Sequence, residues 1–195
     1  LFLSWLMVVV YFLTEWKYKI KDLGAFVIPL VFIVLLYSVF LSKETALLPE
    51  SSEVRFWLTM HQTLSIMGYA AFSIAFAAGI MYLIQEHQVK SKKLGIMYFR
   101  MPSLEVLDDL NFKVIMVGFP LFTLGFMTGS IQNTEMNQPF FSWDLMRTLP
   151  LVVTWLIYCL VFFGRMTVGL RGKKAAQGAI LGFITVIGTY FLHIL

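Results

Sequence analysis

Three histidines, His61, His87 and His193, are the side chains in this 195-residue sequence best suited to hold a metal, because a neutral imidazole offers a nitrogen lone pair. His87 follows Gln85-Glu86 and precedes a run of lysines, which reads as a solvated surface position. His61 and His193 fall at ends of apolar blocks that reach the same side of a bilayer. They could form an axial pair if their helices are neighbours, or each could be an amphipathic boundary residue. The segment Gln132–Thr148 lies on that side too and contains Phe140-Phe141-Ser142-Trp143-Asp144. Its rings read as interfacial anchors or as a platform for a flat apolar ligand. Asp144, near Arg147, reads as an ion-pair partner or as the start of a helix. The single cysteine, Cys159, lies within an apolar block, and no CxxC or CxxCH occurs, so the chain carries neither a thiol-redox pair nor its own covalent c-type haem attachment. No P-loop, GxGxxG motif or nucleophile–base pair points to an enzyme.

The elements that carry these residues are long apolar runs. Apolar residues make up 59% of the chain and charged residues 13%, more apolar surface than one soluble core can hide. Crossing a hydrocarbon layer of about 30 Å takes about 20 helical residues, and the blocks have that length, without the short period-two segments of a barrel. The expected fold is all-α, a polytopic transmembrane bundle of about six spans forming one domain over 1–195. The spans are Leu1–Thr14, Gly24–Ser42, Trp57–Gln85, Phe112–Ile131, Leu149–Val168 and Ala175–Ile194. The first reads as a truncated helix rather than a signal peptide, since it has no basic leader or cleavage site. Pro102-Ser103 followed by Leu104, Leu107 and Leu110 predicts a short amphipathic interfacial helix with Glu105, Asp108 and Asp109 on its wet face. Ala71, Ala75 and Gly79, and the pairs Gly125/Gly129 and Gly178/Gly182, recur every four residues, as close helix packing in lipid requires. None of these is assigned chemistry.

Charge sets the expected orientation. Twelve of the 15 basic residues fall in or beside the turns after the first, third and fifth spans, and only Lys43, Arg55 and Arg147 lie on the other side. Acidic residues divide six to five, so the asymmetry belongs to Lys and Arg. The positive-inside rule puts the twelve in the cytoplasm and leaves Lys43–Phe56, Gln132–Thr148 and the C-terminus outside. The net charge of +4 is thus a topology signal and a match for lipid headgroups rather than for nucleic acid. No Asp, Glu, Lys or His sits mid-span, which argues against a proton pump, an ion-coupled carrier or a transmembrane b-type cytochrome.

An ordered series of segments carries a family resemblance. His61-Gln-Thr-Leu-Ser-Ile-Met-Gly-Tyr69-Ala-Ala-Phe72 resembles the histidine-bearing helix of the CcsA/HemX cytochrome c assembly family. Gly129-Ser130, Ser142-Trp143-Asp144, Thr154-Trp155-Leu-Ile-Tyr158, Arg165, Gly169-Leu-Arg171-Gly172-Lys-Lys-Ala-Ala176, Gly182-Phe183 and Thr189-Tyr190-Phe191 follow it in the same order. Lys90-Ser-Lys92 and Pro102-Ser-Leu-Glu105 resemble the HemX-like branch. The resemblance implies haem handling at the outer face, with iron held by external histidines beside a tryptophan-rich WWD loop. It makes His61 an axial ligand, and Trp143, Asp144 and Phe141 what remains of the loop against the porphyrin. The loop is degenerate here, with Gln132, Asn137 and Phe141 at family positions and Leu145-Met146-Arg147 in place of Pro-Lys-Glu after Trp-Asp. His193 falls several residues before the position of the family's second histidine.

The expected function is an accessory membrane protein of haem handling and cytochrome c biogenesis, in a bacterial-type cytoplasmic membrane, with haem as cofactor and a membrane-protein partner. The alternative is a haem-free structural or regulatory subunit of a larger respiratory or assembly complex. A third reading, a ligation enzyme joining haem to apocytochrome, is disfavoured by the missing loop residues.

Overall fold

The computed structural model describes residues 1–41, 51–92, 95–135 and 145–192, and among them there is no β-strand. The chain forms α1 (Phe2–Tyr18), a 3-10 turn (Lys21–Leu23), α2 (Gly24–Leu41), α3 (Ser52–Ser91), a short α4 (Ile96–Arg100), α5 (Leu104–Glu135), α6 (Leu145–Thr167) and α7 (Lys173–Leu192). The six long helices take up the six expected spans in order. Three stretches, Ser52–Ser91, Leu104–Glu135 and Thr148–Thr167, are long and apolar enough by themselves to cross a membrane, and Gly24–Leu36 is a shorter apolar stretch. The protein is an integral membrane protein with an all-helical fold.

Local chemistry sets the ends. Ser51 caps α3 by accepting a hydrogen bond from the Val54 amide at 3.1 Å. Lys19 and Lys92 close α1 and α3 in the left-handed conformation, at φ 55° and 54°. The turn between α6 and α7 uses Gly169 and Gly172 at φ 68° and 67°, where a Cβ would be strained.

α3 is the central element. Its apolar window is 67% buried, against 33% for α5 and 17% for α6, so the other helices leave most of α6 uncovered. α3 packs along α5 and also meets α1, α2 and α7, while α6 lies on α7 and α5. One core joins Met7, Leu23 and Val27 to Ile74, Ala78 and Met81 of α3 and to Leu107 and Leu110 of α5. A second joins Phe72 and Ala75 to Phe119, Phe122, Tyr158, Ala179 and Phe183. The small residues lie where the spacing predicts. Gly118 abuts Ala71 and Phe72, Gly79 abuts the Ala176 carbonyl, and Gly178 and Gly182 make room for Val161 and Tyr158.

The region from Pro102 to Leu110 differs from expectation. It is no separate interfacial helix. α5 runs unbroken from Leu104, because nothing between Leu104 and Pro120 interrupts a helix, and Leu107 and Leu110 are fully buried against α1–α3. Glu105 is exposed, as expected for a wet face. Asp108 is not, since its side chain is only 15% exposed against Arg165.

Candidate functional site

His61 is one helical turn after Trp57 and one before Ser65, so the three share a face of α3. That face meets α5 in antiparallel register. His61 lies opposite Gly129, Ser65 opposite Gly125, Gly68 opposite Phe122 and Ala71 opposite Gly118. The register comes from small residues. A Cβ on Gly125 would lie 2.5 Å from the Ser65 hydroxyl, and one on Gly129 would lie 2.6 Å from Nδ1 of His61.

The close approach fixes the chemistry of the imidazole. Nδ1 of His61 is 2.7 Å from the Gly125 carbonyl oxygen. A carbonyl can only accept, so Nδ1 carries the proton and donates it. In the neutral ring Nε2 then holds the lone pair. This arrangement, one ring nitrogen tied to a backbone carbonyl and the other left as a donor of electrons, is how metal-ligating histidines are oriented. The Thr128 hydroxyl lies 2.9 Å from the same carbonyl and equally 2.9 Å from that of Leu124, so it shares one hydrogen between them. The half-buried ring therefore fits an iron ligand in its tautomer and its support.

The other expected site residues lie elsewhere or outside the described residues. Phe141, Trp143, Asp144 and His193 are outside them. His87 is exposed, in keeping with a surface role. Among the described residues no group of three or more His, Cys, Asp or Glu side chains could hold a metal ion. Two residues escaped the sequence reading as parts of the site. The spacing of Gly125 and Gly129 predicts packing alone, yet Gly125 supplies the carbonyl and Gly129 the space that set the His61 ring. Their four-residue spacing marks a tight helix seam but not the imidazole that it faces.

At the opposite end of the bundle lies a polar clamp. Arg165 pairs with Asp108 through both carboxylate oxygens, at 2.8 and 2.7 Å. The Gly172 amide donates to the same carboxylate at 2.8 Å, and the guanidinium lies 4.7 Å from the Phe112 ring centroid. The basic turns around Lys90, Arg165 and Lys173 gather at this end. Along α3, His61 and Lys90 are 29 residues apart, about 44 Å at the helical rise. The histidine and the clamp thus lie at opposite ends of the molecule.

The chain matches the family described as "Cytochrome C assembly protein" over residues 1–195. It belongs to that family. Curated relatives named cytochrome c biogenesis protein CcsA include one from Guillardia theta, 28% identical over 98% of this chain and 71% of the relative. Another, from Pyropia yezoensis, is 29% identical over 98% of this chain and 73% of the relative. A third, from Chlamydomonas reinhardtii, is 30% identical over 95% of this chain and 53% of the relative. The Guillardia alignment spans 216 positions, more than this chain's 195 residues, so that relative carries segments without a counterpart here. No solved structure matches the chain. Membership gives the chain a role in cytochrome c assembly, with haem handling as the family's general business.

Several of the residues that carry the resemblance are contacts between helices in this cytochrome c assembly protein. Thr154 donates to Thr185 at 2.7 Å, and Trp155 Nε1 to Thr123 at 3.1 Å. Tyr158 stacks on Phe72 with centroids 3.6 Å apart, and its hydroxyl donates to the Ala179 carbonyl at 3.3 Å. Arg165 and Gly172 hold Asp108. These positions tie α6 and α7 to α3 and α5, and so define the bundle that positions His61.

Proposed function

We propose that the chain, acting as one domain, is an accessory in cytochrome c biogenesis that handles haem at the outer face of a bacterial-type cytoplasmic membrane. The observation that carries this is the His61–Gly125 hydrogen bond, which leaves Nε2 as a ligating nitrogen. His61 would hold the iron. Trp57, on the same face of α3, and Phe141, Trp143 and Asp144 would flank the porphyrin. Bound haem would supply iron as the centre that His61 ligates. The chain's own residues hold the imidazole in one tautomer and orientation and place it at the end of the bundle away from the basic turns. By the positive-inside rule that end is the outer one, where a cytochrome c assembly system receives haem. A membrane-protein partner would complete the system.

One observation favours a second reading. The same hydrogen bond joins α3 to α5, so His61 also works as a structural staple, as in a haem-free subunit of a larger complex. Substitution separates the two. The amide of an asparagine reproduces the Nδ1 donor but offers nothing in place of Nε2. His61→Asn should keep the thermal midpoint in detergent close to wild type while abolishing the Soret band and the pyridine haemochrome signal. His193→Ala should leave both largely intact. A wild-type protein free of haem even with its native partners, or a full Soret band in His61→Asn, would leave the staple reading standing alone.

A further inference from the structure

At the basic end, the turn after α1 faces the turn before α5 across a cavity of about 510 Å³. This is within the usual range for a small-ligand site, about 300–1,000 Å³. Its walls include the cations Lys19 and Arg100, the carboxylate Asp22 and the hydroxyls of Tyr18 and Ser103. Three other cations at this end are matched. Lys90 pairs with Glu86, Lys113 with Asp109 and Arg165 with Asp108. Among the described residues, Lys19, Arg100 and Asp22 form no ion pair, although the three line one cavity. Opposite charges held around a common space without touching suit a ligand that carries both signs.

The surroundings identify the source of such a ligand. Trp16 and Phe99, next to the turns that form the cavity, are 83% and 76% exposed. Large aromatic rings exposed at the ends of membrane helices, beside Lys17, Lys19 and Arg100, mark headgroup depth. The half-exposed Val106 on the cavity wall extends the apolar surface toward the acyl chains.

We propose that this cavity binds the headgroup of a phospholipid whose phosphate is accompanied by a primary ammonium. Lys19 and Arg100 take the phosphate, and Asp22 accepts from the ammonium. Phosphatidylcholine has the same net charge but no N–H to give, so Asp22 discriminates against it. The site ties the α1–α2 turn to the start of α5 and thereby anchors the two ends of the first core at the membrane surface.

The test is native mass spectrometry of the full chain in detergent, titrated separately with phosphatidylethanolamine, phosphatidylglycerol and phosphatidylcholine. One phosphatidylethanolamine should be retained, about tenfold more tightly than phosphatidylcholine, the worth of one charged hydrogen bond. Lys19→Gln/Arg100→Gln should weaken retention by roughly thirtyfold, since each basic side chain near a headgroup contributes about fivefold. Asp22→Asn should erase the preference over phosphatidylcholine. Lys173→Gln/Lys174→Gln removes two charges at the same end outside the cavity and should change nothing. Lys19→Arg/Arg100→Lys, which keeps the charges, should retain the lipid, so that loss in the neutral variant reports the site rather than misfolding. Equal retention of the three lipids, or equal loss in the Lys173/Lys174 control, overturns the proposal. Full displacement of the lipid by millimolar soluble phosphoethanolamine would assign the cavity to a free phosphate ester and likewise overturn the lipid reading.

Discussion

A histidine in a transmembrane helix has two ring nitrogens to account for, and His61 accounts for one of them within the bundle. Because the Gly125 carbonyl takes the Nδ1 proton at 2.7 Å, the remaining nitrogen is defined without reference to any ligand. The glycine opposite is equally specific. A methyl group on residue 129 would lie 2.6 Å from Nδ1 and 2.8 Å from Cε1, and the ring would have to leave its hydrogen bond. Gly129→Ala should therefore lower stability by about 1–3 kcal/mol, the usual cost of overpacking, and should weaken haem retention more than His193→Ala does. Denaturation in detergent and a haem titration check the two effects. An alanine variant with unchanged stability and unchanged haem retention would mean that the ring does not depend on this cradle. His61 could be singled out from its residue type and position alone, whereas the cradle could not, because Gly125 and Gly129 look the same whether they face a methyl group or an imidazole.

At the scale of elements, the α3–α5 seam and the turn between α6 and α7 carry the specificity of the fold. Ala75 is fully buried, and its carbonyl accepts from Asn111 Nδ2 at 2.8 Å, so the seam is both tight and polar at its centre. Ala75→Leu should disturb it by about 1–3 kcal/mol, measurable as a lower thermal midpoint, whereas leucine at a lipid-facing position such as Met116 should be accepted. The clamp at the other end should respond more strongly. Asp108 and Arg165 are 15% and 10% exposed, and removing one partner leaves a largely desolvated charge. Asp108→Asn should cost about 3 kcal/mol on that ground, with part of the loss recovered when Arg165→Met removes the orphaned cation as well. Lys90→Gln breaks an exposed pair on α3 and should barely move the midpoint. If Asp108→Asn is as mild as Lys90→Gln, the clamp does not hold α5 to the turn between α6 and α7.

For the whole molecule the length of α3 is decisive. Forty residues reach about 60 Å, twice the hydrocarbon thickness of about 30 Å, so both ends of the helix stand outside the apolar layer. On the positive-inside rule, the twelve-to-three division of basic residues predicts a cytoplasmic Lys92 end. In a Cys159→Ser background, Lys92→Cys should react with a membrane-impermeant thiol reagent only after cells are opened. Ser52→Cys, at the opposite end of the same helix, should react in intact spheroplasts. The reverse pattern would invert the orientation and place His61 on the cytoplasmic side, away from the compartment where the proposed haem handling takes place.

The sequence by itself determined whatever depends on composition along the chain: helices long enough to span, their order, the side that collects lysine and arginine, and the ordered motifs of a cytochrome c assembly protein. Hydrophobic length and charge asymmetry act segment by segment, so they can be read without knowing which helix touches which. Pairings between distant segments were decided only in the tertiary structure. Asp108 looked wet because its helix was read alone, and it became a clamp when Arg165 and Gly172, 57 and 64 residues further on, came to it. The tautomer of His61 depends in the same way on a carbonyl 64 residues away. A backbone carbonyl has no residue type, so no sequence pattern marks the one that will accept the imidazole proton. Only the packing of α3 on α5 selects it.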